Sequence, residues 1–243
     1  MQFNQGFIGY EPNQSLEFSG ADSEEALSAN LKKLTDDWHY RTAEITYNHN
    51  SLGHRSIEPQ NLNLDNYILF TGCSHTEGIG LELEKTYPYL VTEQLGCDYY
   101  NLALGGSGID AMMHNLSLWL GKVKERPKAI VVQWPDEARF LLTTKLVNKL
   151  KTIGMWSNDE EIKRFMAAGS FNGFFSSRKN IAYNFINSFS DATKIINVDI
   201  AYRADRTMEN FILLPQLDRA RDLVHFGIKS NQVLAKRISD TFE

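Results

Sequence analysis

Two cysteines in 243 residues, Cys73 and Cys97, are too few for a disulfide framework. No apolar run approaches the ~18–20 residues of a membrane-spanning helix. The opening Met1-Gln2-Phe3-Asn4-Gln5 does not read as the start of a signal peptide. There is no basic excess either: the formal net charge of -5 argues against a nucleic-acid or anionic-membrane partner. Internal repeats and low-complexity tracts are missing. What is left, with 42% hydrophobic and 23% charged residues, is an ordinary globular composition. The length suits one large domain, or a domain with an extension, and a substantial core. The expected compartment is the cytoplasm, with Cys97 as buried filler.

The stretch from Tyr67 to Gly78 stands out against that background. Tyr67-Ile68-Leu69-Phe70 is the short apolar run of a buried parallel strand. Thr71-Gly72-Cys73-Ser74-His75-Thr76-Glu77-Gly78 then turns small and polar and leads into a helix. A serine at the carboxyl end of such a strand sits where open α/β sheets place their ligands. Serine is also a favoured helix cap, so a plain strand-to-helix turn accounts equally well for this stretch alone.

Around it the chain alternates. Residues 1–20 read as an irregular arm, and Ser23-Glu24-Glu25 opens a helix carrying Leu27, Leu31 and Leu34. Trp38 to Tyr47 reads as extended, and the polar loop Asn48–Arg55 as solvated, with His49, His54 and Arg55 exposed. Thr86 and Pro88 start a helix that stops at Gly96. Tyr99–Ala103 is a second strand, and the spacing of Ile109, Met112, Met113, Leu116, Trp119, Leu120 and Val123 predicts a long amphipathic helix. Ala129–Trp134 is a third strand. Ser157–Ala168 reads as a helix, and Ile181, Phe185 and Phe189 mark another, while Leu141–Trp156 suits helix or strand. Lys194–Val198 and Phe211–Leu214 are further strands, and Ser230–Phe242 a closing helix. This order predicts a three-layer α/β/α sandwich with a mainly parallel five-stranded sheet. Residues 1–62 are then an accessory arm and 63–243 the domain proper.

A serine hydroxyl becomes nucleophilic when a base takes its proton and a third group fixes the tautomer of that base. Asp222 and His225, three residues apart in Asp218–Gly227, can bring a carboxylate beside an imidazole. Parallel strands deliver such a loop to the same sheet edge as Ser74. On spacing alone, a helix-start acid and a surface histidine is the favoured reading. Gly105-Gly106-Ser107-Gly108 follows the second strand, where backbone N–H groups can face an oxyanion. A tight turn explains those glycines too. A phosphate-binding loop is a further reading, but neither G-x-G-x-x-G nor a P-loop lysine completes there.

Taken in order, these segments resemble the blocks of the SGNH (GDSL-type) hydrolases. Gly72-Cys73-Ser74-His75-Thr76-Glu77-Gly78 is similar to their Gly-Asp-Ser-Leu-Thr-x-Gly opening, Asn101-Leu102-Ala103-Leu104-Gly105-Gly106 to their second block, and Asp222-Leu223-Val224-His225-Phe226-Gly227 to their last. The likeness covers roughly residues 65–240. It implies an SGNH/flavodoxin-like fold and a serine esterase or deacetylase acting on a small-molecule or carbohydrate ester, with no metal or cofactor. It makes Ser74 the nucleophile, His225 the base and Asp222 its partner, with the Ser74 and Gly106 amides holding the oxyanion. The opening is not the G-x-S-x-G elbow of α/β-hydrolases, because Thr76 stands where that motif has glycine.

Two departures accompany the likeness. Cys73 replaces an aspartate that is not a triad member; as a rival nucleophile it sits one residue early and points elsewhere. The third block, Gly-x-Asn-Asp in the family, reads Gln133-Trp134-Pro135-Asp136, so the side-chain amide donor is out of place. Gln133 or Arg139 is the expected substitute, and Gln133, Trp134 and Arg139 are expected at the pocket. The alternative is a catalytically weak or inactive module on the same fold, virion- or polysaccharide-associated, with the arm as a docking surface. Sequence leaves the oligomeric state open.

Overall fold

Tyr67–Thr71 forms β3, and all of its residues are buried. The computed structural model describes residues 6–143, 150–154, 160, 163–164, 172–200 and 211–243. β3 is flanked by β4 (Asp98–Asn101) and β5 (Ala129–Gln133), and the sheet continues through β8 (Lys194–Ile200) to β9 (Phe211–Leu214). Every pairing in this five-stranded sheet is parallel. Alternation along β3 sends Tyr67 and Leu69 to one face and Ile68 and Phe70 to the other, so both faces need a cover.

Helices supply it. On the first face α4 (Ile109–Lys122) buries Ile109, Met112, Leu116 and Trp119, and α5 (Asn172–Asn187) adds Ala182 and Ile186. On the second, α3 (Tyr87–Leu95) contributes Tyr87 and Val91, and α6 (Ile228–Ser239) contributes Leu234, Ala235 and Ile238. The expected three-layer α/β/α sandwich is thus the observed one. β3 comes first in the sheet's chain order, yet its neighbours β4 and β5 lie on opposite sides. The carboxyl end of β3 is therefore a topological switch point, the crevice where open α/β sheets bind ligands.

In front, α1 (Glu24–Leu31) and a two-strand pair, β1 (Ser15–Leu16) with β2 (Tyr47–Asn48), precede the sheet. Here expectation and structure part. Trp38–Tyr47 is not extended: His39–Arg41 makes a 3-10 turn, and only Tyr47 reaches the short β2. Tyr40, Ile45 and Tyr47 form a third apolar cluster with Ile79, Leu81 and Ala220. The loop after β2 is not solvated. His49, His54 and Arg55 are all buried: His49 stacks on Tyr10, while backbone carbonyls take the place of water for His54 and Arg55.

Leu141–Trp156, undecided from sequence, contains an antiparallel pair, β6 (Phe140–Thr143) with β7 (Leu150–Ile153). On α5 the expected apolar stripe faces outward, with Ile181 68% exposed, while Ala182 and Ile186 pack inward. Cys97 is only partly buried. Most of the helix expected over Ser157–Ala168 lies outside the described residues. Among those described, no helix is long and apolar enough to cross a membrane.

Candidate active site

Gly72 ends β3 in the tightest space of the switch point. A Cβ there would lie 2.5 Å from Thr76 Oγ1 and 2.9 Å from Gln133 Cβ, so only glycine lets the two strands' ends come this close. The next residue is tethered sideways: Gln133 Oε1 accepts from the Cys73 N–H at 3.1 Å and from its thiol at 3.0 Å. Ser74 then opens the one-turn helix α2 (Ser74–Glu77). Asn101, at the end of β4, donates to Thr76 O at 2.9 Å, and Ser107 donates to Gly72 O at 2.7 Å. The turns after β3 and β4 are thereby locked to each other.

The loop before α6 is built separately. Ala220 and His225 close it with a 3.0 Å backbone bond, and Leu223 turns the chain with φ +57°, an unusual value for a non-glycine residue. Arg221 ties the loop to the front of the chain. Its guanidinium meets both oxygens of Asp22 at 2.8 and 2.7 Å, and its carbonyl accepts from Asn30 at 2.9 Å.

These two constructions meet. Ser74 Oγ lies 2.7 Å from His225 Nε2, and His225 Nδ1 lies 2.5 Å from Asp222 Oδ2. The other Asp222 oxygen accepts from the backbone N–H groups of Val224 and His225, both at 3.0 Å. Burial alone would raise the Asp222 pKa. The hydrogen bond and charge of His225, with the two backbone donors, outweigh it and hold the carboxyl below its ordinary range. All three residues are buried, with Ser74 and His225 at the wall of a cavity of about 380 Å³. Among the described residues the Ser74 and Gly106 amides have no acceptor.

Trp134 and Arg139 line the same cavity. Trp134 is fixed by its indole N–H to Asn197 at 3.0 Å, and Arg139 donates to Ser107 O at 3.2 Å. Gln133 is placed differently from expectation: it does not line the cavity. Its Nε2 donates to Trp134 O at 2.6 Å and its Oε1 accepts from Cys73, which holds the fully buried side chain behind the cavity wall. Cys73 is buried against that same Gln133.

Several residues carry no distinctive signal in the sequence. His75 packs edge-on to His225 with ring centroids 4.9 Å apart; burial, then the neighbouring His225, pushes its pKa down to about 3 and keeps it neutral. Arg219 and Asp199 also line the cavity. Glu77 lies inside the serine block but at its variable position, and Tyr10, which bonds it, is 67 residues upstream. Among the described residues no group of three or more His, Cys, Asp and Glu side chains suits a metal ion.

No protein-family model matches this chain, and no curated protein does. Solved structures do resemble it. A carbohydrate esterase family 2 enzyme with a carbohydrate-binding domain, from Corynascus thermopiles (Myceliophthora fergusii), is 12% identical over 72% of this chain and 65% of its own, with a TM-score of 0.47. A family two carbohydrate esterase from Clostridium thermocellum, solved with cellohexaose, is 14% identical over 76% of this chain and 65% of its own, at 0.47. A lipolytic protein of the G-D-S-L family from Veillonella parvula is 11% identical over 72% of this chain and 97% of its own, at 0.39. The match thus spans less than two thirds of the length of the first two.

Proposed function

We propose that this chain is a serine ester hydrolase of SGNH type, with residues 63–243 as the hydrolase domain and 1–62 as an accessory arm. The observation that carries the reading is the hydrogen-bonded series Ser74–His225–Asp222 at a cavity wall. The two sequence blocks that hold those residues, Gly72–Gly78 and Asp222–Gly227, and the block Asn101–Gly106 that holds Gly106, support it.

In this reading Ser74 Oγ attacks the ester carbonyl while His225 Nε2 takes its proton. The amides of Ser74 and Gly106 hold the tetrahedral oxyanion. The imidazolium returns the proton to the departing alcohol, leaving an acyl-serine. Water, deprotonated by the same nitrogen, then releases the acid. Asp222 remains ionised throughout, fixing the tautomer and stabilising the imidazolium. An acylated carbohydrate, or another small ester, is the proposed substrate; the chemistry needs no metal or cofactor.

One observation favours a second reading, an idle binding module on this fold. With Gln133 turned away, the oxyanion site lacks the family's side-chain amide, and loss of one such donor can cost ~10²–10³ in rate. Hydrolysis of p-nitrophenyl acetate by wild type, Ser74→Ala and His225→Ala, beside fluorophosphonate labelling, separates the two. The esterase reading expects turnover and label in wild type and their loss in both variants. Equal background rates and an unlabelled Ser74 would sink it.

A further inference from the structure

Glu77 takes no part in the chemistry just described, yet it is 1% exposed and lies one turn beyond Ser74 on α2. Its Oε2 accepts from Tyr10 Oη at 3.0 Å and, in a very short contact, from the Gly105 N–H. The Gly105 N–H is shared with Tyr10 Oη at 3.2 Å. The other carboxyl oxygen, Oε1, is buried without a partner. An unpartnered buried carboxyl oxygen is costly, and an apolar side chain would fill the space more cheaply. Glu77 is therefore a poor choice for stability alone.

Its position suggests what it does instead. The amide N–H of Gly106 belongs to the peptide immediately after the Gly105 Cα. Anchoring the Gly105 N–H therefore fixes one end of the unit that presents the Gly106 donor. Contact is close enough to exclude a side chain: a Cβ on Gly105 would lie 2.8 Å from Tyr10 Oη and 3.2 Å from Glu77 Oε2. Glu77 shares its single helical turn with Ser74, so it links the two proposed oxyanion donors through one rigid element. Arg55, also buried, braces that element by donating to the carbonyls of Glu77 and Gly78 at 3.3 and 2.7 Å.

We propose that Glu77, aided by Tyr10, is a positioning residue that holds the Gly105–Gly106 peptide against Ser74 and so sets the geometry of the oxyanion site. This rests on the hydrolase reading. It also gives residues 1–62 a part in the chemistry, since Tyr10 belongs to the arm.

The test combines amide hydrogen exchange over residues 104–107 with kinetics on p-nitrophenyl acetate and fluorophosphonate labelling, in Glu77→Ala, Glu77→Gln and Tyr10→Phe. Small displacements of reacting groups cost up to about 10²-fold. In Glu77→Ala we expect faster exchange at Gly105, a kcat lowered roughly 10- to 100-fold with KM within about twofold, and labelling slowed in parallel. Glu77→Gln, which keeps an acceptor oxygen, should recover most of that loss. Tyr10→Phe should show a smaller loss of the same kind, and it carries the test if Glu77→Ala does not fold. Wild-type kcat in the variants, unchanged exchange, or a raised KM at constant kcat would overturn the inference while leaving the hydrolase reading intact. A wild type that takes no label at Ser74 would remove the hydrolase reading and this role with it.

Discussion

Asp222 and His225 are joined twice: one carboxylate oxygen accepts the His225 backbone N–H at 3.0 Å, and the other meets the ring Nδ1 at 2.5 Å. An asparagine at 222 can keep its carbonyl oxygen on the backbone donors. It then turns an NH₂ toward Nδ1, which must become an acceptor and leave the proton on Nε2. That is the wrong tautomer for accepting the Ser74 proton. Asp222→Asn should lower kcat on p-nitrophenyl acetate by about 10³–10⁴ with little change in fold, as steady-state kinetics and circular dichroism would establish.

Glu77 makes stability depend on pH. Burial pushes its pKa from the usual 4.5 up to about 7, against the opposing effects of Arg55, Tyr10 and the Gly105 amide. Between those values the folded protein keeps a proton that the unfolded chain releases, so stability falls as pH rises from 4.5 through 7. Relative to Glu77→Gln, wild type should lose up to roughly 3 kcal/mol over that interval, read from urea titrations at pH 4.5 and 8.

His54 pulls the other way. It is held neutral by burial, its pKa down at about 4, between Tyr100 Oη and Ile8 O, each at 3.1 Å. The unfolded chain binds a proton near pH 6.5 that the folded chain refuses. Stability is therefore full above 6.5 and drains away as pH falls toward 4. A His54→Gln variant should have a lower midpoint at pH 7 but a flatter decline between pH 6.5 and 4 than wild type. Parallel declines would show that another group dominates the acid limb.

Arg55 is buried with its guanidinium on four carbonyls, those of Thr46, Glu77, Gly78 and Leu81, and over the Tyr47 ring at 4.5 Å. Lysine cannot reproduce the fork, and leucine leaves buried carbonyls unpaired at about 1–3 kcal/mol each. Arg55→Leu should cost about 3 kcal/mol or more in denaturant unfolding, and Arg55→Lys less.

These same residues mark where sequence reading works and where it stops. β3 and β5 are legible because parallel strands buried on both faces must be continuously apolar, as Tyr67–Phe70 and Ala129–Val132 are. Ser74, Asp222 and His225 are legible because each sits in a short local pattern after a strand or in a loop. His54 and Arg55 are not. Their polarity implies water, and only the folded chain reveals that Tyr100, Ile8 and four distant carbonyls replace it. Gln133 looks like a spare donor until its side chain is seen to lie fully buried between Cys73 and Trp134, off the cavity wall. On α5, Ile181 and Phe185 satisfy a helical period, but the period does not say which side faces the sheet. Ala182 and Ile186 occupy the inner side. Glu77 and Tyr10 escape notice because the contact between them spans 67 residues.

The mooring of Arg221 to Asp22 spans 199 residues, and the contact of Ser74 with His225 spans 151. Chains grow from the amino end, so the arm, β3, β4 and β5 emerge from the ribosome well before the loop of residues 218–227 exists. During that interval Ser74 lacks the His225 imidazole and Asp22 lacks the Arg221 guanidinium. The Arg221–Asp22 attachment and the Ser74–His225 contact can form only once that loop has been translated.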